Sequence, residues 1–117
     1  FDDANGVLYV ANINGNPTGK DGNGFISKVS LDGGIMEHKW VTGMDAPKGM
    51  GIYDGKLFVT DIDRIHEIDI ATQEIASTFA VEGAKFLNDI TIGADGKVYV
   101  SDMDTNEILV LENGIVS

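Results

Sequence analysis

The chain contains no cysteine, which excludes disulfides, thiolate metal sites and a cysteine nucleophile, and leaves the redox compartment open. Basic residues are also scarce: eight Lys and Arg stand against nineteen Asp and Glu, a formal charge of −11. A surface of that sign repels phosphate backbones and anionic headgroups, so neither nucleic acid nor a membrane is an expected partner. Cations, Ca²⁺ among them, suit it better. Long apolar runs are missing too. Runs such as Ile108–Leu111 are a few residues, far short of the roughly 20 a membrane-spanning helix needs. No stretch repeats its apolar residues with helical period. Nor is there a nucleophile elbow, a Walker loop, zinc-ligand spacing or a Ser-His-Asp arrangement.

What is present is a repeat. Asn5-Gly-Val-Leu-Tyr-Val-Ala-Asn12 is echoed by Asp54-Gly-Lys-Leu-Phe-Val-Thr-Asp61 and again by Asp95-Gly-Lys-Val-Tyr-Val-Ser-Asp102. Each copy is an Asn-Gly or Asp-Gly turn, a β-branched and aromatic run, and a terminal Asn or Asp. The dipeptide predicts a type I′ hairpin, in which both central residues need φ > 0. The run after it has strand composition. Successive copies begin 49 and 41 residues apart, the spacing of propeller blades.

Four strands fit each repeat. A short apolar piece leads into the turn, Met50–Tyr53 in one copy and Ile90–Gly93 in another, with Phe1 the stub of a third. The turn strand follows. A third strand then carries Ile26, Val29 and Leu31, or Ile65, Ile68 and Ile70, or Ile108, Val110 and Leu111. A fourth lies around Ile35–Val41 and Ile75–Val81, and starts again at Ile115. The expected fold is therefore all-β: about two and a half to three four-stranded antiparallel blades of a β-propeller, with boundaries near 1–45, 46–86 and 87–117. Such an arc leaves apolar blade faces uncovered and relies on the remaining blades of its ring. Residues 1–117 on their own are expected to associate or aggregate.

Residues recurring in every blade read as architecture, so Asn12, Asp61 and Asp102 are expected to accept hydrogen bonds from the backbone of the following loop. Candidate functional residues are those that differ between blades. The lead-ins to the inner strands read Ala46-Pro-Lys-Gly-Met50 and Phe86-Leu-Asn-Asp-Ile90, so Lys48 takes the slot of Asn88. Asn88 and Asp89 offer hard oxygen donors for a divalent cation or for hydroxyl groups, whereas Lys48 suits a carboxylate or phosphate. The second difference is the Gly- and Asn-rich insertion Ile13–Gly24, expected to be mobile over Asn14–Gly24 and locally dispensable. His38 and His66 fall on outer strands. His66 is followed by Glu67, but strand neighbours point to opposite faces, so the two are no catalytic pair. Trp40 and Phe79 read as packing between blades.

The stretch Pro47-Lys-Gly-Met-Gly-Ile-Tyr-Asp-Gly-Lys-Leu-Phe-Val-Thr-Asp61 resembles the repeat of the SMP-30/gluconolactonase/LRE-like propellers and the related NHL repeats. Phe86-Leu-Asn-Asp-Ile-Thr-Ile-Gly-Ala-Asp-Gly-Lys-Val-Tyr-Val-Ser-Asp-Met103 is similar to the gluconolactonase-type segment containing Asn-Asp-Gly. The resemblance implies six blades, a divalent metal on the axis, usually calcium, and a periplasmic or secreted location. It places Asn88 at the metal and substrate, with Asp89 and Lys48 lining the pocket. Two functions follow from it. One is a calcium-dependent hydrolase of a sugar lactone or similar small ester, in which the ion polarises the carbonyl for attack by water. The other is a non-catalytic NHL-type propeller that holds a protein or glycan.

Overall fold

The computed structural model describes all 117 residues and contains strands but no helix. In chain order the strands are β1 Val7–Asn12, β2 Gly24–Ser30, β3 Ile35–Met44, β4 Pro47–Tyr53, β5 Lys56–Asp61, β6 Arg64–Asp69, β7 Glu74–Ala80, β8 Leu87–Ile92, β9 Val98–Asp102, β10 Glu107–Glu112 and β11 Ile115–Val116. They form three antiparallel meanders: β1-β2-β3, β4-β5-β6-β7 and β8-β9-β10-β11. The two later sheets have the expected four strands, although β11 is only two residues long. The first has three. Two compact units result, residues 1–47 and 48–117.

In the first unit, β1 and β2 pair continuously from Val7↔Ser30 to Asn12↔Phe25. Register shifts along β2 and β3 mark bulges. Phe25, Ile26, Trp40, Val41 and Met44 are buried. Trp40 packs on Tyr9 of the same sheet, 4.6 Å between ring centroids. The Ile13–Gly24 insertion is tied down at its far end. Asp45 accepts the Gly22 amide at 2.9 Å, Asp21 accepts the Asn23 amide at 3.0 Å, and Gly24 is buried at the start of β2. That end is ordered by hydrogen bonds, which a count of glycines and asparagines does not reveal.

In the second unit, sheet β4–β7 packs face to face with sheet β8–β11. Phe58, Ile65 and Val81 from the first meet Leu87, Ile90, Val98, Val100 and Leu111 from the second in one buried cluster. Phe79 joins its edge, as expected of a residue that packs between blades. Alternation explains who participates: Phe58 and Ile65 sit on the same face of adjacent strands, while Leu57, Val59 and His66 point the other way. A backbone bond from the Leu87 amide to the Ile62 carbonyl, 2.8 Å, stitches the sheets at the lead-in to β8. Close approach needs small residues on β4. A Cβ on Gly49 would lie 2.5 Å from the Asn88 carbonyl oxygen, and one on Gly51 would lie 2.9 Å from Ile90 and Ile92.

The hairpin turns divide into two kinds. Asp54 (φ 50°) and Gly55 (φ 73°) both take positive φ, as a type I′ turn requires. At Asp95-Gly96 only the glycine does, at 87°, because the Gly96 amide bonds the Gly93 carbonyl and the Gly93 amide bonds the Lys97 carbonyl. This is a longer turn closed by a left-handed glycine. Asn5-Gly6 likewise has positive φ only at the glycine. The two-residue expectation therefore holds at one of the three repeats.

Candidate functional site

The two lead-ins singled out in the sequence are brought side by side by Thr60. Its hydroxyl accepts the Gly49 amide at 2.9 Å and donates to the Asn88 carbonyl at 3.1 Å, which places the backbone of Lys48-Gly49 against that of Asn88. The Lys48 ammonium stands over the Phe86 ring, 4.5 Å from its centroid, a cation–π contact. Burial pushes this ammonium below the ordinary lysine range, and the negative charge of Asp61 works in the opposite direction. Asn88 is exposed, and its side-chain amide approaches the Met103 sulfur at 3.9 Å.

Asp89 follows in the same lead-in. It is exposed and, as the strand neighbour of Asn88, contributes to a groove of about 180 Å³ shared with Thr91, Tyr99, Ser101 and Ile108 on the outward face of the last sheet. Its carboxylate accepts its neighbour's amide, Ile90, at 2.9 Å. Lys48 and Asn88 thus share a locale, and Asp89, whose backbone also lies against Gly49, lines the groove on the last sheet.

Of the three recurring Asn and Asp residues, Asp102 does what the sequence suggests and more. It accepts amides from Asp104 (2.9 Å) and Thr105 (3.1 Å) in the following loop, and from Lys85 (2.8 Å) and Phe86 (3.2 Å) in the lead-in to β8. Burial alone would raise its pKa, but these four bonds outweigh it and hold the carboxyl below its ordinary value. Asn12 behaves differently. Its side chain donates, to the Ser27 hydroxyl and the Val10 carbonyl, both at 3.0 Å. Asp61 pairs with side chains.

That pairing is the constellation sequence reasoning missed. Asp61 Oδ2 lies 2.8 Å from His66 Nε2 and 3.2 Å from an Arg64 guanidinium nitrogen, and His66 Nδ1 lies 3.0 Å from the Thr78 hydroxyl. A carboxylate can only accept, so Nε2 carries a proton; in the neutral ring Nδ1 then accepts from Thr78. Register assembles the group. Asp61 is opposite Arg64, and His66 is opposite Thr78, which places all four side chains on one face. Asp61 and His66 are almost wholly buried. An acid, a base and a hydroxyl in a row have the elements of a relay, but here they are closed off and spent on one another.

The divalent-metal expectation can be tested against the donors. No group of three or more His, Asp or Glu side chains is placed to hold a metal ion, and the lead-in that Thr60 holds beside Asn88 brings a lysine, Lys48, in place of a further oxygen donor.

No family model matches the chain. No curated protein matches it either. Among solved structures, it is similar to a chain in the crystal structure of a nidogen/laminin complex, with a TM-score of 0.66 and 21% identity over 95% of this chain. The match spans 40% of the other chain's length. With the repeated antiparallel sheets, the likeness shows a β-propeller-like all-β fold.

Proposed function

We propose that the chain supplies blades to a six-bladed β-propeller of the NHL kind, which binds a protein partner through the lead-ins to its inner strands and carries out no chemistry there. The observation that carries this reading is the division of labour between polar groups. Asp61 and His66 of the Asp61–His66–Thr78 constellation are buried, while Asn88 is exposed at its lead-in and the half-buried Lys48 lies on the Phe86 ring. An aromatic-backed cation next to an exposed amide is a binding surface. The similar solved structure is a complex between proteins, which accords with a protein partner.

The competing reading, a calcium-dependent lactone hydrolase with Asn88 as a metal ligand, makes opposite predictions. Titrating the protein with Ca²⁺ in a calorimeter, and assaying hydrolysis of a sugar lactone, should show neither heat nor turnover. Peptides selected by display on the immobilised protein should lose affinity for the Lys48→Ala/Asn88→Ala variant. Calcium-dependent turnover that falls in Asn88→Ala would sink the binding reading and establish the hydrolase.

A further inference from the structure

Four asparagines stand directly before a glycine: Asn5, Asn14, Asn23 and Asn113. In this dipeptide the glycine backbone nitrogen can attack the asparagine side chain, because no Cβ on the attacking residue crowds its approach. The other asparagines are followed by Ile13, Pro17, Asp89 and Glu107. Proline has no backbone N–H to react, and the other three carry a Cβ. Ring closure also needs a backbone that can swing the glycine nitrogen toward the side-chain carbon. The fold allows that at one of the four pairs and opposes it at the rest.

At Asn5 both reacting groups are held. Its side-chain amide donates to the Asp2 carboxylate at 2.8 Å, and the Gly6 amide donates to the Asp2 carbonyl at 2.9 Å. At Asn23 the nucleophile is walled in. Gly24 is buried at the start of β2, where an added Cβ would lie 2.4 Å from Pro47 Cδ and 2.7 Å from the Asp45 carbonyl oxygen. At Asn113 a two-residue turn is fixed by the pairing of Glu112 with Ile115, with positive φ at both Asn113 (51°) and Gly114 (77°). A type I′ turn of this kind directs the glycine nitrogen away from the side chain before it. Asn14 is different. It lies between β1 and β2, outside any strand; it and Gly15 are exposed, and neither its side chain nor the Gly15 amide makes a hydrogen bond. The group closest to where a Gly15 Cβ would stand is the carboxylate of Asp21, a side chain that can rotate away.

We infer that Asn14 is a site of spontaneous deamidation, the fastest in the chain. The Gly15 nitrogen forms a bond to Asn14 Cγ and gives up its proton, the bond from Cγ to Nδ2 breaks, and that nitrogen leaves as ammonia. Water then opens the cyclic imide at either carbonyl, which gives aspartate or isoaspartate at position 14. The sequence of steps is redox-neutral and consumes only water. Either product adds a negative charge to a chain already at −11. Isoaspartate also lengthens the backbone by one methylene, in a stretch of loop that no strand pairing constrains. This inference is independent of the ligand proposed above.

Ageing the protein at mildly alkaline pH and mapping its peptides by mass spectrometry reads each site separately, in buffer and again in guanidinium chloride. In the denaturant the four Asn-Gly pairs should deamidate at similar rates, since the fold that distinguishes them is gone. In buffer Asn14 should keep close to its denatured rate. Asn5, Asn23 and Asn113 should slow by about tenfold or more, the rate equivalent of about 1.4 kcal/mol of local opening. The products at position 14 should include isoaspartate, the mark of the imide. Any of the other three reacting as fast as Asn14 in buffer would overturn the inference. So would an Asn14 rate in buffer far below its denatured rate, which would mean that the loop protects it, and so would aspartate without isoaspartate.

Discussion

His66 and Asp61 are joined through Nε2 and Oδ2 at 2.8 Å, with both side chains almost wholly buried. Removing the imidazole takes from this buried carboxylate a buried donor, while the guanidinium of Arg64, which approaches the same oxygen, is partly exposed. Taking one hydrogen-bond donor from a buried carboxylate costs about 1.5–3 kcal/mol. Thr78→Val removes one neutral hydrogen bond from the other ring nitrogen and should cost about 1 kcal/mol. Urea unfolding followed by circular dichroism should therefore rank His66→Ala well below Thr78→Val, with Thr78→Val close to the unmutated protein. Equal midpoints for His66→Ala and the parent would show that the pair contributes nothing to stability.

Acid sensitivity should trace in part to Asp102. Burial opposes its charge, but the amides of Lys85, Thr105, Asp104 and Phe86 prevail, so its folded pKa lies below the unfolded value of 3.8. The unfolded chain then binds more protons at low pH. The stability this group contributes is fully present above about 3.8 and is lost as pH falls through the folded value. Asp102→Asn would turn an amide NH₂ toward a backbone donor, which costs about 1–3 kcal/mol at neutral pH. It should also flatten the fall in melting temperature between about pH 5 and about pH 2, the kind of range linkage predicts. An unchanged slope would assign the acid transition to other carboxylates.

The blade repeat is legible in the sequence because its signals are local. An Asp-Gly turn, the alternation of Leu57, Val59 and Asp61, and spacing near one blade length need no knowledge of partners. Lys48 and Asn88 are legible as occupants of one slot for the same reason. The Asp61–His66–Thr78 group is not, because it depends on how β5, β6 and β7 line up across the sheet. Read along the chain, His66 has Glu67 as its conspicuous neighbour. Read across the sheet, it has Thr78. The setting of Asp89 is hidden by the same fact in another form: the register of β8 against β9 shifts between Leu87 and Ile90, a bulge that residue order does not announce. Asp95-Gly96 departs from the two-residue turn because the dipeptide alone does not fix loop length.

Contact between the two later sheets requires glycine on β4. Gly49→Ala would place its Cβ 2.5 Å from the Asn88 carbonyl oxygen and 2.7 Å from the Asp89 Cα, both backbone atoms that cannot rotate away. Overpacking of this kind costs about 1–3 kcal/mol. The expected result is a lower melting temperature together with faster hydrogen exchange at the Leu87 amide, whose bond to Ile62 spans the same seam. Unchanged exchange there would mean that the sheets part without strain.

At the alkaline end the decisive group is Tyr9. Burial pushes its phenol up, and the charge of Asp2 and a hydrogen bond to it push it further, to about 12. Asp2 is held in place by Asn5, which bonds it through its backbone amide at 3.2 Å and its side-chain amide at 2.8 Å, and the Tyr9 hydroxyl donates to it at 3.3 Å. A phenol whose folded pKa exceeds its unfolded value of 10.0 favours the folded state while it is neutral. That contribution is complete below about pH 10 and disappears as pH rises through about 12. Ultraviolet titration of the phenolates, compared with a Tyr9→Phe variant, should assign the late-titrating step to this one of the three tyrosines. Asp2→Asn should bring that step down without abolishing the shift, since burial, the larger cause, remains. If Asp2→Asn leaves the step where it was, the carboxylate is not charged beside Tyr9 and the alkaline stability must have another source.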